Sequence, residues 1–262
     1  QESIKLLFSG DLGPEQKAFH PEPDAPAGYD YIICESTYGD REREDYTLEK
    51  RRAAMRDELV LALSRGGNVV IPSFAVERSQ ELLHDIAVLL NAGEIPDATV
   101  YLDSPMARKA TEVFIKHSDA MEDIEVNESE IFRHKNFRIV ESVQESKAIN
   151  RVKSGAIIIS ASGMCTAGRI KHHLKNNIYR PESTILFVGY QSPGTLGHII
   201  TSGAKQVRIH GKEYRVRAQI RRLGNYSAHA DQSELIDWIL ERGPVVGGLF
   251  LNHGDDEARK VL

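Results

Sequence analysis

Four ionisable residues follow directly on apolar runs or small residues in this chain. Asp11 lies in Phe8-Ser9-Gly10-Asp11-Leu12-Gly13 and Glu35 opens Glu35-Ser36-Thr37-Tyr38-Gly39. His229 is central in Ser227-Ala228-His229-Ala230-Asp231, and His253 in Asn252-His253-Gly254-Asp255. An ionisable side chain at the end of a strand, beside small residues, can project into a cleft. Two carboxylates and two imidazoles converging this way would suit zinc, which takes N and O donors. They are too few to hold a metal pair, and no His-x-His-x-Asp-His cluster occurs anywhere in the chain.

Each residue also has a plainer reading. Flanking glycines leave Asp11 free to bridge two cations, or to cap its own turn. Glu35 can orient an imidazole and stabilise its protonated form, or cap a helix. His229 stands just ahead of a helix through Leu235, Ile236 and Ile239, for which Asp231 is a natural N-cap. A histidine there is commonly structural; with Glu35 beside it, it becomes a candidate general acid. His253 leaves a buried run and precedes Gly254, a good place from which to ligate metal.

Three strand-to-helix loops mix small residues, hydroxyls and an arginine: Pro72 to Ser79, Asp103 to Arg108 and Ser160 to Arg169. Helix starts of this composition attract anions, and parallel sheets bind ligands at their strand ends. Ordinary turn chemistry is the alternative. Ser73, Arg78, Arg108, Ser162, Thr166 and Arg169 are the substrate-binding candidates. Cys165 has no paired base and reads as a packing residue rather than a nucleophile. His172 and His173 are adjacent and diverge on a helix, so they do not chelate.

The elements that must position these groups follow from periodicity. Ile4–Phe8 and Tyr29–Cys34 read as strands, joined through the proline-rich stretch 21–26. From Asp40 to Thr201 strands and helices alternate, which predicts a parallel α/β layer. Helices are expected over 47–65, 79–90, 106–117 and 146–152. Strands are expected over 69–71, 100–102, 137–140, 156–159 and 184–188. Tyr214–Ile220 alternates strictly and predicts one half-exposed strand; a helix over 232–241 and a strand over 246–251 close the chain. The end pieces carry the four motifs, so the middle reads as an insertion within another domain.

The totals bound the class. With 262 residues, 41% hydrophobic and 27% charged, the chain is ordinary globular material. It has no membrane-spanning apolar run and no signal-peptide start, and its two distant cysteines point to the cytoplasm. The net charge is −5, yet between Gly203 and Gly224 seven basic residues face only Glu213, a local field suited to a polyanion.

Taken in order, Phe-Ser-Gly-Asp-Leu-Gly, Glu-Ser-Thr-Tyr-Gly-Asp, Pro-Ser-Phe-Ala-Val-Glu-Arg-Ser-Gln, Ala-Ser-Gly-Met-Cys-Thr-Ala-Gly-Arg, Gly-Tyr-Gln-Ser-Pro-Gly-Thr-Leu-Gly, Ser-Ala-His-Ala-Asp and Asn-His-Gly-Asp resemble the β-CASP branch of the metallo-β-lactamase superfamily. These are RNA-processing nucleases related to the cleavage and polyadenylation endonuclease and ribonuclease J. The resemblance implies an α/β fold: the C-terminal part of a metallo-β-lactamase αββα sandwich (1–39 and 228–262) with an inserted parallel-sheet β-CASP domain (40–227) covering the active-site cleft. It matches Asp11 to a bridging zinc ligand and His253 to a terminal one. Glu35 matches the acid that pairs with a histidine, and His229 that histidine, the proton donor to the leaving oxygen. The family's histidine–aspartate cluster is missing here and is expected upstream of Gln1, so the resemblance reads this chain as a fragment.

The resemblance implies hydrolysis of RNA phosphodiesters with two zinc ions and single-stranded RNA as partner; a homodimer is one assembly left open, since the sequence does not give the oligomeric state. From the missing ligands, weak zinc binding and little or no cleavage are expected of the chain alone. The alternative of another class is a non-catalytic RNA-binding or assembly module; a third reading handles a small nucleotide instead.

Overall fold

The computed structural model describes residues 3–15, 17, 19, 21–42, 47–117, 132–224 and 226–262. Along the chain run β1 (Leu6–Phe8), β2 (Tyr31–Glu35), α1 (Leu48–Ser64), β3 (Val69–Pro72), α2 (Arg78–Asn91), β4 (Thr99–Leu102) and α3 (Pro105–Lys116). There follow β5 (Phe137–Ile139), α4 (Val143–Ile149), β6 (Ala156–Ser160), α5 (Ile170–Asn177), β7 (Thr184–Phe187) and α6 (Leu196–Thr201). Then come β8 (Gln206–Ile209), β9 (Lys212–Arg215), β10 (Gln219–Arg222), α7 (Gln232–Glu241), β11 (Gly248–Asn252) and α8 (Asp256–Val261). The chain divides into two compact units: Gln1–Leu48 with Ser227–Leu262, and Glu49–Tyr226.

The first unit is a three-stranded parallel sheet ordered β1-β2-β11. Leu7, Leu12, Ile32, Cys34, Ala230, Leu235, Trp238 and Leu251 gather into its core. Burying an aliphatic side chain of this size contributes about 1.5–3 kcal/mol, so the cluster suffices to seat α7 against the strands. Asp231 caps α7 as its position suggests: its side chain accepts from the Glu234 N–H, and Glu234 accepts back from the Asp231 N–H.

The second unit is a six-stranded parallel sheet ordered β10-β7-β3-β6-β4-β5. Strands β3, β6 and β7 are buried along their whole length, as continuous apolar runs require when helices cover both faces. Under α2 lies a charged cluster. Arg51 is fully buried and donates to both oxygens of Asp85, at 2.8 and 3.1 Å, and to Glu81 at 2.8 Å. The Tyr226 hydroxyl also donates to Asp85, at 2.7 Å.

Two expectations need correction. Residues 214–220 are not one strand. Lys212–Arg215 closes an antiparallel hairpin with Gln206–Ile209, whereas Gln219–Arg222 joins the main sheet beside β7. Between them the N–H groups of Arg217 and Ala218 both donate to the Ile178 carbonyl, and Ala218 turns into the core. The alternation ran on across a change of sheet. The helix expected over 146–152 starts at Val143, because Ser142 and Glu145 form a capping box there.

Candidate metal and proton-transfer site

Register brings the four motifs of the first unit to one edge. Phe8 stands beside Ile33, and Asn252 beside Glu35, so three parallel strands end together. Asp11, Glu35 and His253 follow from those ends. His229 arrives from the segment that leads into α7, pinned where the Ala230 N–H donates to the Leu12 carbonyl at 2.7 Å. The N–H of Leu12 donates to Glu35 Oε1 at 2.6 Å, so the backbone of one residue ties the β1 exit to both other segments.

Glu35 is 2% exposed and both its oxygens lie 3.0 Å from His229 Nδ1. Burial works to raise its pKa, but hydrogen bonds from His229, Thr37 and Leu12 hold the carboxyl below the usual carboxylate range. The carboxylate therefore accepts the hydrogen bond from Nδ1–H of His229, which leaves Nε2 as the nitrogen turned away from Glu35. Tyr38 stands edge-on to the His229 ring at 6.2 Å between centroids.

His253 faces Asp11, with Nδ1 3.5 Å from Oδ1, and its ring lies 5.4 Å from that of His229. Its backbone takes φ 56, in the left-handed region that few non-glycine residues adopt. Two hydroxyls of the segment after β2 hold that turn: Ser36 Oγ donates to the Asn252 carbonyl at 2.8 Å and Thr37 Oγ1 to the His253 carbonyl at 2.9 Å. Gly254 packs so closely that a Cβ there would lie 2.3 Å from the Ser36 carbonyl oxygen. Asp11, His229 and His253 each offer a donor atom within 4.8 Å of the others. Two imidazoles and a carboxylate at that spacing fit one zinc ion with a position left open, the arrangement of catalytic zinc sites. His229 joins that set although the family resemblance matches it to the proton donor.

Residues 79–200 match the family profile described as Beta-Casp domain. Residues 213–262 match the profile described as Zn-dependent metallo-hydrolase RNA specificity domain. Ribonuclease TTHA0252 of Thermus thermophilus is 39% identical over 269 aligned positions. The chain belongs to the β-CASP family of the metallo-β-lactamase superfamily. The RNase J-like protein of Methanocaldococcus jannaschii is 30% identical over 256 positions, and transcription termination factor FttA of Methanosarcina mazei is 28% identical over 264. These alignments cover 100%, 96% and 97% of this chain but 60%, 58% and 41% of the relatives. The β-CASP chain thus spans about three fifths or less of the length of these relatives. Its family is zinc-dependent by the second description, in keeping with the donors found at the edge of the β1-β2-β11 sheet.

In the second unit of this β-CASP protein, the strand-end loops sort the six substrate-binding candidates. Ser162 and Thr166 are accessible, their hydroxyls 3.4 Å apart. Arg169 is partly exposed; its guanidinium donates to buried Asp103 at 2.7 Å, and Asp103 also takes bonds from Ser146 and His173 at 2.6 Å each. Burial works to raise the Asp103 pKa, yet those three donors keep the carboxyl below its usual range. Arg108 pairs with Glu112 at 3.0 Å and lies 3.7 Å from Glu141, so its charge is spent locally. Ser73 and Arg78 do not fit the expectation. Both are buried: the Ser73 hydroxyl donates to the Phe74 carbonyl, and Arg78 reaches Glu81 and the Val188 carbonyl. A helix start facing inward needs its polar groups for the fold, which a loop composition cannot reveal. Cys165 is fully buried and burial pushes its thiol up to about 12, in line with a packing role.

Reading by residue type passed over Ser36, Thr37 and Tyr38. Their signal is a run of three hydroxyl-bearing residues directly after Glu35 at the end of β2. Phe74, exposed between buried Ser73 and Ala75, was passed over for the same reason.

Proposed function

We propose that this protein is a zinc-dependent ribonuclease acting on single-stranded RNA, with 1–39 and 228–262 as its metallo-β-lactamase portions and 40–227 as its β-CASP domain. The observation that carries the reading is the meeting of Asp11, His229 and His253 at one sheet edge with Glu35 locked on His229. Ribonuclease relatives and a profile named for RNA specificity support the substrate class.

Asp11 and His253 are the proposed zinc donors, of the two ions the family resemblance implies. Zinc, when bound, lowers the pKa of its water to about 7 and offsets charge growing on phosphorus. Glu35 accepts the hydrogen bond from Nδ1–H of His229 and orients the ring; in the proton-donor role the ring would carry a proton on each nitrogen. His229 then delivers its Nε2 proton to the departing ribose oxygen. With Nδ1 committed to Glu35, Nε2 either transfers a proton or ligates metal; we assign it the proton. Two donors, Asp11 and His253, leave an open shell, so zinc held by this chain is expected to be weak.

Ser162, Thr166 and Arg169 are the proposed contacts to backbone phosphates, with Phe74 offering an accessible aromatic face for stacking a base, as single-stranded RNA requires. The hairpin and strand from 205 to 222 add exposed Lys205, Arg208, Lys212, Arg215, Arg217, Arg221 and Arg222. Arg221 is paired with Glu58, which leaves six for a polyanion. No helix among the described residues is long and apolar enough to cross a membrane. Two buried, unbonded cysteines support the cytoplasm as compartment.

The test is cleavage of labelled single-stranded RNA by the gene product that carries this sequence, with and without a zinc chelator. Expected are loss of cleavage with chelator and with Asp11→Asn. His229→Ala is expected to lose at least about 100-fold in rate while zinc content is kept. RNA bound but never cut by the zinc-loaded protein would favour a binding module instead.

A further inference from the structure

We infer that Thr37 sets the tautomer of His253, keeping its proton on Nδ1 and its lone pair on Nε2, and is thereby a positioning residue for a metal-binding imidazole. The second half of this statement rests on the zinc reading of the site; the first half does not.

The argument is a count of protons. Thr37 Oγ1 lies 2.9 Å from the His253 carbonyl oxygen and 3.1 Å from His253 Nδ1. A hydroxyl has one proton to give and two lone pairs to accept with. The carbonyl can only accept, and so can the Glu35 carboxylate, to which the Thr37 side chain also bonds; the hydroxyl proton goes to one of these oxygens and not to Nδ1. Nδ1 must then be the donor to Oγ1, because two facing lone pairs would repel. Asp11 Oδ1, 3.5 Å from the same nitrogen, is a second oxygen that favours a proton on Nδ1. A neutral imidazole with Nδ1–H has its lone pair on Nε2.

Glu35 does the same for the other ring, through Nδ1 of His229. Two residues of one segment, Glu35 and Thr37, therefore present both imidazoles by the same nitrogen. Their chemistry differs. A buried carboxylate brings a negative charge to the His229 ring, whereas a neutral hydroxyl whose own proton serves an acceptor oxygen only orients His253. Outer groups of this kind fix ring orientation and ligand basicity in metal sites. The Thr37 hydroxyl has a further grip, since its bond to the His253 carbonyl helps to hold the left-handed turn.

The experiment compares the chain with Thr37→Val and Thr37→Ser by long-range 1H–15N correlation of the histidine rings at about pH 8, without metal, where free imidazole is neutral. Zinc affinity is then measured by competition with a chromophoric chelator. In wild type and Thr37→Ser, His253 is expected to show a protonated Nδ1. In Thr37→Val the signal is expected to move toward the Nε2–H form, with zinc affinity about 10–100-fold lower. Thr37→Ser should recover affinity to within about threefold, which a role in packing the γ-methyl would not allow. An Nε2–H ring in wild type, or a tautomer unmoved in Thr37→Val, overturns the assignment. Nδ1–H in wild type without measurable zinc binding sinks the metal reading alone and leaves the tautomer assignment standing.

Discussion

Glu35 and His229 stand 194 positions apart in the chain, and both carboxylate oxygens of the one lie 3.0 Å from Nδ1 of the other. Glu35 is buried and accepts further bonds from the Leu12 and Thr37 N–H groups, so its position is over-determined. A carboxylate held in this way orients the imidazole, and the imidazole in turn keeps the carboxylate ionised.

Stability should therefore depend on pH through Glu35. Burial works against its charge, but its donors prevail and the folded-state pKa lies below the unfolded one. Below its ordinary pKa the unfolded chain takes up protons first. The contribution is thus present above about pH 4.3 and fades as pH falls through the folded value. Glu35→Gln is expected to lose about 1.5–3 kcal/mol at neutral pH, the worth of hydrogen bonds to a charged group. Urea unfolding at several pH values checks this: the gap to wild type should close in acid, and a constant gap would contradict it.

Gly254→Ala should damage the His253 turn. The added methyl would meet backbone and hydroxyl oxygens of Ser36, at 2.3 and 2.5 Å, neither of which can retreat without breaking the Ser36 bond to Asn252. A loss of about 1–3 kcal/mol is expected, as for overpacking elsewhere. Zinc affinity should fall with it, which calorimetric titration reads. An alanine variant with wild-type stability and affinity would mean that this contact is not needed.

The charged cluster in the second unit should be costly to open from one side. Asp85→Ala leaves Arg51 buried without its main partner, for an expected loss of about 3–5 kcal/mol. Tyr226→Phe removes one bond to the same carboxylate and should cost about 0.5–1.5 kcal/mol. Burial opposes the charge on Asp85, but the Arg51 guanidinium holds its carboxyl well below the usual range. Its contribution is present above the ordinary aspartate pKa of about 3.9 and fades as pH falls from there through the folded value. Thermal unfolding of both variants separates the two magnitudes.

RNA binding should divide into charge and stacking. Arg169→Ala is expected to weaken binding of a single-stranded oligonucleotide and to lower the salt slope by about one. Phe74→Ala should lose about 1–3 kcal/mol with the salt slope intact. Ser73→Ala, at a buried hydroxyl, should leave affinity unchanged. Fluorescence anisotropy across a salt series reads all three, and equal slopes for Arg169→Ala and wild type would exclude that phosphate contact.

Much of this was legible from residue order. Continuous apolar runs between helical periods announced a covered parallel sheet, because only strands shielded on both faces can be apolar at every position. The alternation over 214–220 misled, because periodicity records which side chains are inward but not which sheet they face. Arg78 and Ser73 misled similarly, since hydroxyls and guanidinium groups serve a buried helix start as readily as a phosphate.

What residue order determined by itself was chemical type and the kind of element: Asp11, Glu35, His229 and His253 at the ends of strands or the start of a helix, and a family pattern to match. Only the folded chain decided which of their nitrogens and oxygens meet. The Asn252–Glu35 register, the two backbone bonds of Leu12 and the Ser36–Thr37 grip on the His253 turn are long-range matters. Hydrogen bonds and metal donors act over about 3 Å, a scale set by how separate segments pack and not by any local sequence preference.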